Sequence, residues 1–193
     1  MLEILFLILL MAINAFFAAS EMAFITLNDN KIAVMADEGN PKAIILEKVL
    51  SHPTKFLSTI QIGITLAGFL ASAFASDSFS GPLVNLIYPY LTIFTPEAVR
   101  TFVMILITLV LSFVSLVFGE LVPKRVAMNY SENIAFAVIK PVYWISILFH
   151  PFVRLLTFTT NLIVRLFGID PNSEPNAVTE EEIRMMVDVG EEK

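Results

Sequence analysis

Three long apolar runs alternate with shorter segments in which charge collects. The first run extends from about Leu2 to Leu27, the second from about Phe56 to Ala75, and the third from about Thr101 to Leu121. A bilayer core needs about 20 apolar helical residues to cross it. Each run is close to that length, so the pattern predicts three transmembrane helices in an all-α integral membrane protein. A cleaved leader is the competing reading of the first run. Its only charge before Glu21 is Glu3 and its first base is Lys31, so it lacks the basic start of a signal peptide and is read as a span.

The connecting segments carry their own signals. Within 28–53, Gly39-Asn40-Pro41 is a stop-and-restart pattern, with Gly past one helix end and Pro at the start of the next. It predicts a short helical hairpin, with Ile44, Ile45, Val49 and Leu50 as the apolar face of its second arm. The segment 76–99 contains Gly81-Pro82, Pro89 and Pro96, which predicts irregular chain or short helices. The stretch 134–168 would be about 52 Å long as one helix, too long for a simple span. Pro141 and Pro151 are expected to break it, and Lys140, His150, Arg154 and Arg165 interrupt its apolarity. It is read as helices lying in the cytoplasmic membrane interface, with a fourth span over 141–167 as the alternative.

Charge fixes the orientation. Lys31, Lys42, Lys48 and Lys55 lie in the first connection, 76–99 has no Lys or Arg, and Lys124, Arg125 and Lys140 follow the third run. Basic loops stay in the cytoplasm. The N-terminus is therefore expected outside, the hairpin inside, 76–99 outside, and everything after Arg125 inside. The three connections agree, which makes a multi-pass protein of the cell inner (plasma) membrane the expected class.

Composition adds two constraints. Apolar residues make up 56% of the chain and mean hydropathy is +0.78, beyond the range of a soluble domain. There is no Cys, which removes disulfides, thiolate metal sites and redox dithiols. The net charge of −6 is not spread evenly, because residues 170–193 hold eight acids against Arg184 and Lys193. The chain is thus expected to divide into a neutral membrane domain, 1–169, and an acidic cytoplasmic helix or linker, 170–193. No basic patch interleaved with aromatics suggests nucleic acid. No catalytic triad, phosphate loop or zinc spacing suggests an enzyme. His52, before Pro53, is read as a turn residue.

Candidate chemistry lies on the helix faces. In the second run Ser58, Gln61, Thr65, Gly68 and Ser72 are spaced 3, 4, 3 and 4 apart, one continuous small and polar stripe. In the third, Thr101, Thr108, Ser112, Ser115 and Gly119 repeat similarly, and in the first, Asn14, Ala18 and Glu21 share a face. In lipid such stripes mark helix contacts or water entry. Two of them end in carboxylates, Glu21 and Glu120, both toward the cytoplasmic side. A carboxylate there is costly and is a functional candidate. Pro123 has no N–H for the Gly119 carbonyl four residues back, so the helix is expected to end near it and leave that oxygen free. Carboxylate, hydroxyl and carbonyl oxygens are the donors that hard divalent cations prefer. Glu21 could instead be the counter-charge of Lys124 or Arg125.

Four segments carry a family resemblance. Phe16-Phe17-Ala18-Ala19-Ser20-Glu21-Met22-Ala23 resembles the opening motif of the CNNM/CorC membrane domain, and Thr59 to Gly68 its second-helix motif. Gly119-Glu120-Leu121-Val122-Pro123-Lys124 is similar to its third-helix motif, and Val178 to Arg184 to the acidic helix before a paired CBS module. The resemblance implies a homodimer of three-span subunits with an interfacial helical belt, transporting Mg²⁺, with export coupled to Na⁺. CBS domains are expected downstream. The family's magnesium ligands carry over at Ser20, Gly119 and Glu120. The family's Asn does not, because Ile64 and Gly68 stand at the matching positions; in this the chain resembles the hemolysin-like subgroup.

The combined candidate set is Ser20, Glu21, Gly63, Thr65, Ser112, Ser115, Gly119 and Glu120. The function expected from it is membrane transport of a divalent cation, Mg²⁺. The alternative is a membrane-anchored regulatory or scaffold protein whose polar stripes only pack helices.

Overall fold

The structure is a computed structural model that describes residues 2–51, 53–90 and 94–168, with the side chains of residues 53–55 excepted. His52 and the acidic segment 170–193 lie outside the described residues. The described residues contain no strand. By contacts the chain divides into two units, Met1–His150 and Pro151–Lys193.

In the first unit, α1 (Leu2–Ile25) takes up the first apolar run almost to its expected end. The hairpin follows as α2 (Asp29–Asp37) and α3 (Pro41–Leu50). Its turn is built as the sequence asked. Gly39 takes a φ of +85°, a left-handed conformation that costs glycine little. The Asn40 side chain then caps α3 by accepting from the Lys42 and Ala43 N–H groups at 3.0 and 3.3 Å. The face of α3 that meets the core holds Ala43, Leu46 and Val49, with Ile45 and Leu50 packed beside them as expected; Ile44 alone of the expected set is exposed, at 47%. A small residue at position 43 lets neighbouring helices approach closely, and that packing outweighs the bulk of Ile44.

The second span is longer than its hydropathy suggested. The helix α4 runs from Pro53 to Ile87, straight through Gly81-Pro82, and a 3-10 turn, Tyr88–Tyr90, ends it. A proline inside a helix removes one hydrogen bond and crowds the carbonyl four residues back. Gly81 before it has no Cβ and eases only the contact with the preceding residue, and the helix continues through both. Residues 76–87, expected as irregular chain or short helices, are therefore part of one long helix. Thr95 caps the next helix, α5 (Pro96–Leu116), by accepting from the Ala98 N–H.

The third span corrects the sequence reading at Pro123. The helix does not end there. It passes through a π turn, Val117–Leu121, into α6 (Val122–Asn129), giving a continuous helix from Pro96 to Asn129. Pro123 sits in the first turn of α6, where a missing N–H is tolerated. In the turn before it, the Val122 N–H bonds back to the Val117 carbonyl, five residues away rather than four.

Aromatic and glycine contacts set α1 against α4. Phe6 meets Phe74 and Phe24 meets Phe56, each with ring centroids 4.6 Å apart. Between them, a Cβ on Gly63 would stand 2.5 Å from the Phe17 ring. As positions rise along α1 their partners fall along α4, so the two helices are antiparallel and in close register. α5 packs on α4, while α6 and the π turn pack on α1.

At one end these helices join α2, α3 and α7 (Ser131–Leu148) in a shared core of Phe24, Ile32, Leu46, Ile60, Ala127 and Ile139. By the charge rule this end is cytoplasmic. Lys31 pairs with Glu132 at 2.6 Å, and the Lys42 ammonium donates to the Phe136 carbonyl at 2.7 Å, so the hairpin is tied to α7 by its basic residues. Pro141 was expected to break this stretch but lies inside α7; the interruption falls at Phe149, ahead of Pro151. Among the described residues, three helices are long and apolar enough to cross a membrane, and α7 with α8 reaches that standard only when the pair is counted as one.

α8 (His150–Leu166) belongs mainly to the second unit. His150, Arg154, Thr157, Asn161 and Arg165 recur at steps of 4, 3, 4 and 4. That is one polar stripe on an otherwise apolar helix, the pattern of an interfacial helix.

Candidate cation site

The polar stripes of the three spans converge on one cavity of about 440 Å³. α1 contributes Asn14; α4 contributes Thr65, Gly68 and Ser72; α5 contributes Thr108, Ser112 and Ser115; and the π turn contributes Glu120. Helical periodicity explains the assembly. Residues three and four apart share a face, and the packing sets these faces around an open cleft: Asn14 is buried, while Thr65, Thr108 and Ser112 are exposed on its walls. Ile64, Phe69, Ala71, Leu111 and Leu116 complete the wall.

Asn14 is the most informative member. It is 5% exposed, and its side-chain oxygen, Oδ1, is buried without a hydrogen-bond partner. A buried unsatisfied carbonyl costs free energy and calls for an explanation. Asn14 lines the same cavity as Glu120. Gly119 makes the arrangement possible: a Cβ there would meet Asn14 Nδ2 at 2.9 Å and Ser115 Oγ at 3.4 Å. Gly68 has a different role. A Cβ there would meet nothing within 4 Å, so its missing side chain enlarges the cavity.

The second feature is a charge bridge at the Glu120 edge of the cavity. Lys124 Nζ lies 2.9 Å from Glu21 Oε2 on α1 and 2.9 Å from Glu120 Oε1 on the π turn. The three side chains are 28%, 19% and 32% exposed. Carboxylates this far from water need a partner, since an unpaired buried charge is strongly destabilising. Glu120 thus borders the cavity and also belongs to the ion pair.

The remaining candidates are placed as follows. Thr65, Ser112 and Ser115 line the cavity with Glu120. Gly119 abuts it through Asn14. Glu21 is held by Lys124 and not by Arg125. Ser20 is fully buried and its hydroxyl donates to the Phe16 carbonyl at 2.7 Å; it does not line the cavity. Gly63 is covered by the Phe17 ring, so its place is a helix contact.

Asn14 was absent from the candidate set. The available signal was a lone amide in the middle of an uncharged run, which in lipid seeks a partner. Ser72 and Thr108 were seen in the stripes, and the structure adds them to the lining.

Among the described residues, three long apolar helices meet at an open cleft that carries hydroxyls, one amide and one carboxylate, and they define a multi-pass α-helical membrane protein. Residues 4–193 match the family described as the cyclin M transmembrane N-terminal domain, CNNM, and the chain belongs to that family. It is 35% identical over 98% of its length to UPF0053 protein sll0260 of Synechocystis, covering 42% of that protein. It is 32% identical over 93% of its length to UPF0053 protein YrkA of Bacillus subtilis, covering 41% of it. It is also 32% identical over 91% of its length to UPF0053 inner membrane protein YfjD of Escherichia coli, covering 37%. The chain thus spans about two fifths of the length of these relatives.

Proposed function

We propose that this chain forms the membrane pathway of a divalent-cation transporter, with Mg²⁺ as cargo and export coupled to Na⁺, and that it is not an enzyme. The observation that carries the reading is Asn14, which lines the cavity that Glu120 borders and whose side-chain oxygen is buried without a hydrogen-bond partner. A neutral oxygen, a carboxylate and the hydroxyls of Thr65, Ser112 and Ser115 are hard donors of the type Mg²⁺ and Ca²⁺ take. Mg²⁺ gives up its water shell reluctantly. A cavity of about 440 Å³ has room for an ion that keeps several waters, which the hydroxyls would then hold.

The setting proposed for this activity is the cell inner membrane. The chain would act there as a homodimer, and the CBS domains expected downstream would regulate it. The name of the Escherichia coli relative places that protein in an inner membrane. The face of α5 carrying Phe102, Leu109 and Phe113 is exposed and apolar, which suits lipid or a second subunit.

The scaffold reading draws on Gly63 and Ser20, small and polar positions that serve helix contact and an internal hydrogen bond. Flux of Mg²⁺ in proteoliposomes separates the two. Glu120→Ala and Glu120→Gln are expected to lower flux at least about tenfold, the size of effect seen when support for a bound metal is lost, with folding unchanged. Wild-type flux in both variants, or no flux in the wild type, would leave the scaffold reading standing.

A further inference from the structure

We propose that Lys124 is a tethered cation which occupies the Glu21–Glu120 carboxylate pair and must withdraw before a divalent ion can be held there. The inference rests on the cation-pathway reading above and adds an internal competitor to it.

The geometry is that of a filled site. One ammonium contacts carboxylate oxygens from two different helices at equal distances of 2.9 Å. Those oxygens therefore lie within twice that distance of each other, close enough to converge on one ion after a small movement. An ammonium carries three donors and no acceptor, so it cannot act as a ligand itself; here it donates to Glu120 Oε1 and pairs by charge with Glu21 Oε2, which is left without a hydrogen bond. The charge does not balance, because one positive group faces two negative ones. A divalent cation in the same place would neutralise both. The lysine is also built to leave. It follows Glu120 by one helical turn and is 28% exposed, and its flexible stem can carry the charge to water.

Placement gives the bridge its consequence. Among the residues lining the cavity, Glu120 alone belongs to the ion pair. A cation in the cavity and the lysine therefore compete for one carboxylate. While Lys124 holds Glu120, the ligand set is incomplete, and the apparent affinity falls by the fraction of molecules in which the lysine has swung away.

The test measures Mg²⁺ binding by isothermal titration, and melting temperature against Mg²⁺ concentration, for the reconstituted wild type, Lys124→Met and Lys124→Met with Glu21→Gln. Methionine keeps an unbranched apolar stem and removes the charge. Lys124→Met is expected to bind Mg²⁺ at least about tenfold more tightly than wild type. Without Mg²⁺ it should melt lower than wild type, since two carboxylates are left facing each other, and added Mg²⁺ should restore it. Adding Glu21→Gln should cancel most of the affinity gain.

A purely structural clamp gives the opposite pattern: Lys124→Met melts lower at every Mg²⁺ concentration, and its affinity is equal or weaker. A variant that does not fold even with Mg²⁺ overturns the proposal as well, because the ion should replace the ammonium. If wild type binds Mg²⁺ through Glu120 but Lys124→Met does not differ, only the lysine inference fails. If neither protein binds Mg²⁺, the cation-pathway reading fails with it.

Discussion

Glu120 and Asn14 reach the cavity from different helices and for different reasons. Glu120 stood out in the sequence because a carboxylate at the end of an uncharged run is costly wherever it is not used. Asn14 did not, because one amide in a span is as easily helix glue as ligand. Its missing hydrogen-bond partner emerges only once α1, α4 and α5 are packed. That distinction gives a test. The unpaired oxygen costs about 1–3 kcal/mol of stability, and leucine has nearly the same shape without it. Asn14→Leu is expected to leave the melting temperature unchanged or raise it, while weakening Mg²⁺ binding at least about tenfold, the scale of losing support for a metal. Lower stability with intact binding would mean that Asn14 only joins helices. The Lys124 bridge was half legible. Spacing of four residues places Glu120 and Lys124 on one helix face, but the choice of Lys124 over Arg125 as the partner of Glu21 depends on how α6 lies against α1.

At the scale of elements, the hairpin turn at Gly39-Asn40-Pro41 falls where the sequence reading put it, whereas the helices run on through Pro82, Pro123 and Pro141, where that reading had breaks. Hydropathy marks apolar length, and a helix can continue past it. Gly81-Pro82 has the composition of a turn, yet α4 continues through it to Ile87, as α7 continues through Pro141. Pro123 has the composition of a terminator. The chain instead takes a π turn ahead of it, which puts Glu120 in a segment with altered pairing. An alanine at 123 would supply the absent N–H and allow ordinary α-helical pairing through Val117–Leu121. Each residue of an α-helix turns the chain by about 100°, so removing the extra residue of the π turn would swing Glu120 away from Asn14. Pro123→Ala is expected to weaken Mg²⁺ binding at least tenfold, roughly the loss seen when a metal's supporting shell is disturbed, with the melting temperature little changed. Titration and thermal unfolding of the one variant check this. Intact affinity would mean that the π turn is not needed for the site.

At the scale of the whole molecule, charge placement carried the most information. Four lysines before the second span and none in 76–99 fixed an orientation, and the structure gathers the hairpin and α7 into one core at the end that this orientation makes cytoplasmic. Residue-level patterning could not reveal that core, since its members come from six helices far apart in the chain. The absence of native Cys makes the orientation easy to test. Asn85, near the end of α4, and Glu38, in the hairpin turn, are both exposed. Asn85→Cys is expected to react with an impermeant maleimide from outside intact cells, and Glu38→Cys only after the membrane is opened. Equal labelling of both from outside would contradict the orientation, and with it the placement of Glu21, Glu120 and Lys124 on the cytoplasmic side.

The position of the ion itself tests the central claim most directly. Mn²⁺ can stand in for Mg²⁺ at oxygen sites and is visible by anomalous scattering in crystals of the protein. A peak is expected in the cavity between α1, α4 and α5, beside Asn14 and Glu120, and it should vanish in Glu120→Ala. No peak there in the wild type, or a peak that persists without Glu120, would contradict the claim that this cavity is the cation site.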